Sequence, residues 1–130
     1  MTLSINPAPG SSLDEITHIL SIAPTSQTIE GQVPINRRNS KREARHTAWF
    51  LESESLVDTS DVNDHIDWLI NRLDGKEHLL RELIARGCAA RIWCYWLSAL
   101  GHGGPILTSR QMGRLSMLGL DICFDVYGTI

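Results

Sequence analysis

His102 is the one histidine set inside a glycine-rich loop, Gly101-His102-Gly103-Gly104-Pro105. An imidazole placed there, with a carboxylate such as Asp125 nearby, has the titration range of a general base. No serine or cysteine nucleophile is identifiable beside it. The loop also lacks the Gly-Lys-Ser/Thr that completes a phosphate-binding loop. Its amides lead into a helix start and offer an anion nest, but a chain reversal needing positive φ angles is the stronger account of the glycines. His65 and His78 share a helical region with Asp61, Asp64 and Asp67, yet not at the i, i+4 spacing of a metal pair. An acidic first turn, favoured by the helix dipole, explains that cluster better. Cys88, Cys94 and Cys123 form no Cys-x-x-Cys, and Cys88 and Cys94 would lie about 20 Å apart along a strand, too far to bridge. The expectation is therefore no catalytic residue, no metal and no cofactor.

The elements that must carry these residues follow from periodicity. Thr2 to Asn6 alternates polar and apolar and predicts a first strand, broken by Pro7, Pro9 and Gly10. Ser12 and Glu15 have capping-box spacing, and Leu13, Ile16, Ile19 and Leu20 form one helical stripe that Pro24 ends. Ser26 to Val33 predicts an edge strand stopping at Pro34. Asn36 to Arg45 carries five of the twelve basic residues (Arg37, Arg38, Lys41, Arg42 and Arg45) and reads as a solvated hairpin tip. Thr47 to Glu52 predicts a strand with Trp49 and Phe50 on opposite faces. Ser60 or Asp61 caps a helical region from Val62 to Leu73, which resumes over Leu79 to Ile84 after a break at Asp74-Gly75. Gly87 and Gly119 occupy left-handed cap positions, and Thr108 with Gln111 forms a second capping box.

The expected fold is α+β in a single domain over residues 1–130. It has one mostly antiparallel sheet of about five strands with helices on one face. The order is β-α-β-β-α-(α)-β-α-β, an elaboration of a ferredoxin-like plan.

The last third predicts a candidate surface. In Cys88 to Leu97, Ala90, Ile92, Cys94 and Trp96 alternate with Arg91, Trp93, Tyr95 and Leu97. In Leu120 to Tyr127, Leu120, Ile122, Phe124 and Val126 alternate with Asp121, Cys123, Asp125 and Tyr127. If helices cover the first set of each pair, Trp93, Tyr95, Asp121, Asp125 and Tyr127 gather on the uncovered side with His102 at its border. Aromatic and ionic groups together are the composition of interface anchors. The plainer alternatives are a loop or the basic hairpin folded over this face, a dimer contact, or a second small core.

A net charge of −3 argues against a general nucleic-acid binder and suits a basic protein partner. Six acidic residues and no lysine or arginine lie between Glu52 and Asp67, a second feature able to steer such a partner. MTLSINPAPG has neither a basic nor an apolar leader segment, and no apolar run approaches a membrane span, so the expected compartment is the reducing cytoplasm.

Leu13-Asp14-Glu15-Ile16-Thr17-His18-Ile19-Leu20 closing at Ala23-Pro24-Thr25, the tryptophan strand around Trp49, Leu83 to Gly87 before a strand, then GHGGP and LGLDICFDVYG, occur in an order that resembles a bacterial family of unknown function, the domain of unknown function 4279 type. The resemblance spans almost the whole chain and implies a small bacterial cytosolic α+β domain. It also implies a binding role of the immunity type, in which a toxin is neutralised by covering its active site, and it transfers no catalytic residues. The leading expectation is thus a non-enzymatic protein-binding module with a toxin or other basic protein as partner. The alternatives are a small-ligand sensor or enzyme with a pocket between the glycine loop and the open sheet, and an RNA-contacting domain using the basic hairpin.

Overall fold

The computed structural model describes residues 1–33, 43–98 and 103–128. Among the described residues nine elements follow in chain order: β1 (Thr2–Asn6), α1 (Leu13–Leu20), β2 (Ser26–Thr28), β3 (Ala48–Glu52), α2 (Val62–Arg72), α3 (Glu77–Ala85), β4 (Ala89–Ser98), α4 (Ser109–Leu118) and β5 (Asp121–Gly128). The strands form one sheet in the order β2-β3-β1-β4-β5. The first three ladders are antiparallel, and β5 pairs parallel to β4 through the α4 crossover. The order β2-β3-β1-β4 is the ferredoxin-like arrangement, with β5 as the added strand, so the fold is α+β as expected. Most of the basic 36–45 hairpin falls outside the described residues. No helix among the described residues is long and apolar enough to cross a membrane.

Local chemistry explains where each helix starts and stops. The Ser12 side chain accepts from the Glu15 amide at 3.4 Å, while the Glu15 carboxylate lies 3.7 Å from Arg86. Helix α1 stops at Ser21, a non-glycine residue at φ 53°, before Pro24 is reached. Asp61 accepts from the Asn63 amide at 2.9 Å and caps α2. On α4 the reciprocal box is complete: Thr108 Oγ1 accepts from the Gln111 amide, and Gln111 Oε1 accepts from the Thr108 amide. Gly119 then ends α4 at φ 71°, a conformation that would strain any side chain with a Cβ.

Gln111 is almost fully buried and also donates to Asp67 Oδ1, which accepts from Arg110 at 2.8 Å as well. Burial alone would raise the Asp67 pKa. The hydrogen bonds from Arg110 and Gln111, with the Arg110 charge, outweigh it and hold the carboxyl below its ordinary value. One carboxylate thus joins α2 to the first turn of α4.

Strand β2 is shorter than the alternation predicts. It ends at Thr28, because Gly31 turns the chain at φ 82° and Gln32 donates back to the Ile29 carbonyl. Pro34 lies outside the described residues.

The core lies between the sheet and the helical layer. Leu51, Leu3, Ile92 and Ile122 form a row across four strands, and Trp49, Leu20, Ile66, Leu69, Leu80 and Leu118 pack with that row. Trp49, which the sequence left free to face either side, is fully buried under α1 and donates its indole N–H to Thr17 Oγ1 at 3.0 Å. Phe50 takes the opposite face, as strand alternation requires. Removing the acceptor while keeping the shape, with Thr17→Val, leaves that buried indole N–H without its partner. The expected loss is about 1–3 kcal/mol. It should be read as a lower urea midpoint at unchanged slope.

Candidate functional site

The ladder registers settle which side chains share the open face. Arg91 lies opposite Asp121, Trp93 opposite Cys123, Tyr95 opposite Asp125 and Leu97 opposite Tyr127. Their neighbours Ile92 and Cys94 are buried beneath the helices. Of the six residues expected at the site, Trp93, Tyr95, Asp121, Asp125 and Tyr127 therefore stand together away from the helical layer, and each is exposed. His102 lies outside the described residues. Leu97, which was not singled out, belongs to the same surface and is 59% exposed. Plain alternation from Trp93 was the signal that places it there.

The side chains interact with one another. Tyr95 and Tyr127 stack with ring centroids 4.9 Å apart and planes at 27°, a diagonal pair across neighbouring strands. Tyr127 donates its hydroxyl to Asp125 Oδ2 at 3.3 Å. The Asp125 charge, then that hydrogen bond, push the Tyr127 phenol above its ordinary range, so it stays a neutral donor. The Arg91 guanidinium sits over the Trp93 ring, 5.7 Å from its centre. The result is a row of half-exposed aromatic rings with a cation at one end and carboxylates beside it.

This face is not uniform across the sheet. On the β2-β3-β1 half, Ser26, Thr28, Ala48, Phe50 and Ser4 point to the same side and are buried. The exposed half is β4-β5 alone. The helical side also departs from expectation at the far end. Phe124 and Val126, assigned beneath the helices, are 41% and 56% exposed. The β1 ladder ends at Thr2 opposite Trp93, and β4 runs on to Ser98 with β5 beside it. On β4 itself Cys94 and Ser98 stay buried and Trp96 packs on the core, so the exposure belongs to the edge strand β5.

The other sequence candidates are engaged elsewhere. Asp61 caps α2, Asp64 accepts from Thr59 Oγ1 at 2.6 Å, and Asp67 is held by Arg110 and Gln111. Among the described residues no group of three or more His, Cys, Asp and Glu side chains is placed to hold a metal. His65 enters a contact that spacing gave no hint of. Ser53 Oγ lies 2.6 Å from its Nδ1, and its Nε2 lies 2.7 Å from the Thr59 carbonyl. A carbonyl only accepts, so Nε2 carries a proton toward Thr59, while the Ser53 hydroxyl, which Nδ1 faces, also donates to the Met1 carbonyl at 3.1 Å. This has the outline of an activated serine, but Ser53 is fully buried and no substrate carbonyl can reach it. The pair ties the end of β3 to α2. A shallow depression of about 350 Å³, lined by Asn6, Pro7, Glu30, His46 and Thr47, lies at the opposite strand ends from the aromatic row.

The Asp125–Tyr127 contact has a direct spectroscopic consequence. Asp125→Asn removes the charge that opposes phenol ionisation. One of the two tyrosine transitions in a 295 nm absorbance titration should then move to lower pH. An unchanged titration would mean that Asp125 does not govern Tyr127.

No curated protein and no solved structure matches this chain. A family model does match, over residues 1–129, so the chain belongs to the family described as Domain of unknown function (DUF4279).

Proposed function

We propose that this protein is a non-enzymatic protein-binding module that docks a basic partner on the open face of β4 and β5. The observation that carries this reading is the contiguous exposure of Trp93, Tyr95, Leu97 and Tyr127 in one register, with Asp121 and Asp125 beside them. Exposed apolar surface of this kind, edged by charge, is the usual composition of a protein contact. Aromatic anchors supply most of the affinity of such contacts. Carboxylates at the rim favour partners of opposite charge and speed encounter, and the chain's net charge of −3 acts in the same direction. The fuller form of the proposal is an immunity role, in which the aromatic row covers the active site of a basic toxin.

Mixing the purified protein with the product of a toxin gene adjoining its own tests that fuller form. A stoichiometric complex with loss of toxin activity is expected, and full toxin activity with no complex rejects it. With any partner found, Trp93→Ala should weaken binding by more than about 1 kcal/mol, roughly fivefold or greater. Met117→Ala, exposed on helix α4 in the helical layer, should leave binding unchanged. Equal affinities for parent and Trp93→Ala would remove Trp93 from the contact.

A further inference from the structure

Strand β5 is the sheet edge among the described residues, paired with β4 alone. Its outer backbone groups form an open template, and neither lysine, proline nor a bulge blunts it. Apolar side chains are exposed on both of its faces: Phe124 and Val126 on the helical side, Tyr127 on the other. A partner lying on one face would leave the opposite face bare. A strand added at the edge would satisfy the backbone and set its own side chains beside those on both faces.

We infer that the occupant is a second copy of this chain, its β5 pairing antiparallel with the first about a two-fold axis through Phe124. A two-fold normal to the sheet keeps each face continuous, so paired residue numbers must sum to an even value. Centring on Cys123 sets Asp121 against Asp125 of the other copy, and centring on Asp125 sets two carboxylates face to face. Like charges directly opposite destabilise a ladder. Centring on Phe124 pairs 121 with 127, 122 with 126 and 123 with 125. Each Asp121 then meets a tyrosine, Ile122 meets Val126, and the two Phe124 rings meet at the axis. It is the longest pairing of β5 with itself that opposes no two carboxylates. The product is a continuous ten-stranded sheet. This dimer does not depend on the partner-binding role of the open face, and its test reads only association state.

Light scattering on the full chain at micromolar concentration should give twice the 14.5 kDa monomer mass. Phe124→Lys opposes two ammonium groups at the axis and should return the mass to the monomer value with an unchanged far-ultraviolet circular-dichroism spectrum. Cross-linking fixes the register: in a Cys123→Ser background, Phe124→Cys should oxidise to a covalent dimer, because directly opposed Cα atoms lie within disulfide reach. Val126→Cys in the same background should not, because residue 126 faces residue 122. A monomeric parent protein, a dimer that survives Phe124→Lys, or cross-linking at 126 in place of 124 would each overturn the inference. A monomer that captures an added peptide strand at β5 would overturn it in favour of a different occupant.

Discussion

Every feature of the exposed surface depends on one constraint, the parity that core burial imposes on β1 and β4. Leu3 pairs with Leu51 on one side and Ile92 on the other, and Ile92 pairs in turn with Ile122. Once that row faces the helices, Trp93, Tyr95 and Leu97 have no choice but the opposite face. A slip of one residue would turn Ile92 and Cys94 to solvent and drive Arg91 and Trp93 into the core. Burying one aliphatic side chain is worth about 1.5–3 kcal/mol, and several would be lost together. The register is therefore held far more strongly by its buried side than by any contact among the exposed residues.

What was legible in the sequence is what local chemistry decides alone. Asp61, Thr108 with Gln111, and Gly119 name their helix ends because each cap works within a single turn. The alternation around Trp93 was equally readable, since it is an internal property of one strand. The illegible parts depend on how far elements extend relative to one another. Nothing in LDICFDVY says that β5 takes the sheet edge, where the core that buries Cys94 on β4 does not reach Phe124 and Val126. The Ser53–His65 contact joins a strand end to a helix across an intervening loop, and no spacing rule predicts such a pair. The shortness of β2 was hidden for a similar reason. Its alternation continues past Thr28, while Gly31 has already turned the chain.

The sheet's two halves behave differently on the same face. On β3 and its neighbours, small hydroxyl residues surround Phe50 and the surface is buried. There, Ser26 donates to the Glu52 carboxylate, and Thr25 Oγ1 accepts from the Glu52 amide at 2.8 Å. Polar groups in that region are thus satisfied within the chain. On β4 and β5 the rings stack on each other and the one tyrosine–carboxylate bond is exposed. The first half is finished by intramolecular bonding, whereas the second ends in groups whose contacts with water remain replaceable.

That difference bears on why the aromatic row is best explained by association. A side chain half-exposed in the folded state recovers only part of the hydrophobic free energy that full burial would give, because the gain scales with area removed from water. Tyr95 and Leu97, each more than half exposed, contribute correspondingly little to monomer stability. Their strand propensity favours the local conformation, but threonine would supply as much. The area left in water at Trp93, Tyr95, Leu97 and Tyr127 is instead free energy that only a second surface can release. Stacking between Tyr95 and Tyr127 holds two of those rings in fixed positions beforehand, which lowers the ordering cost that binding would otherwise carry. A preordered ring pair and a cation-capped tryptophan on a register locked from beneath make a rigid patch. Rigidity of that kind is worth most where an interface must form without refolding.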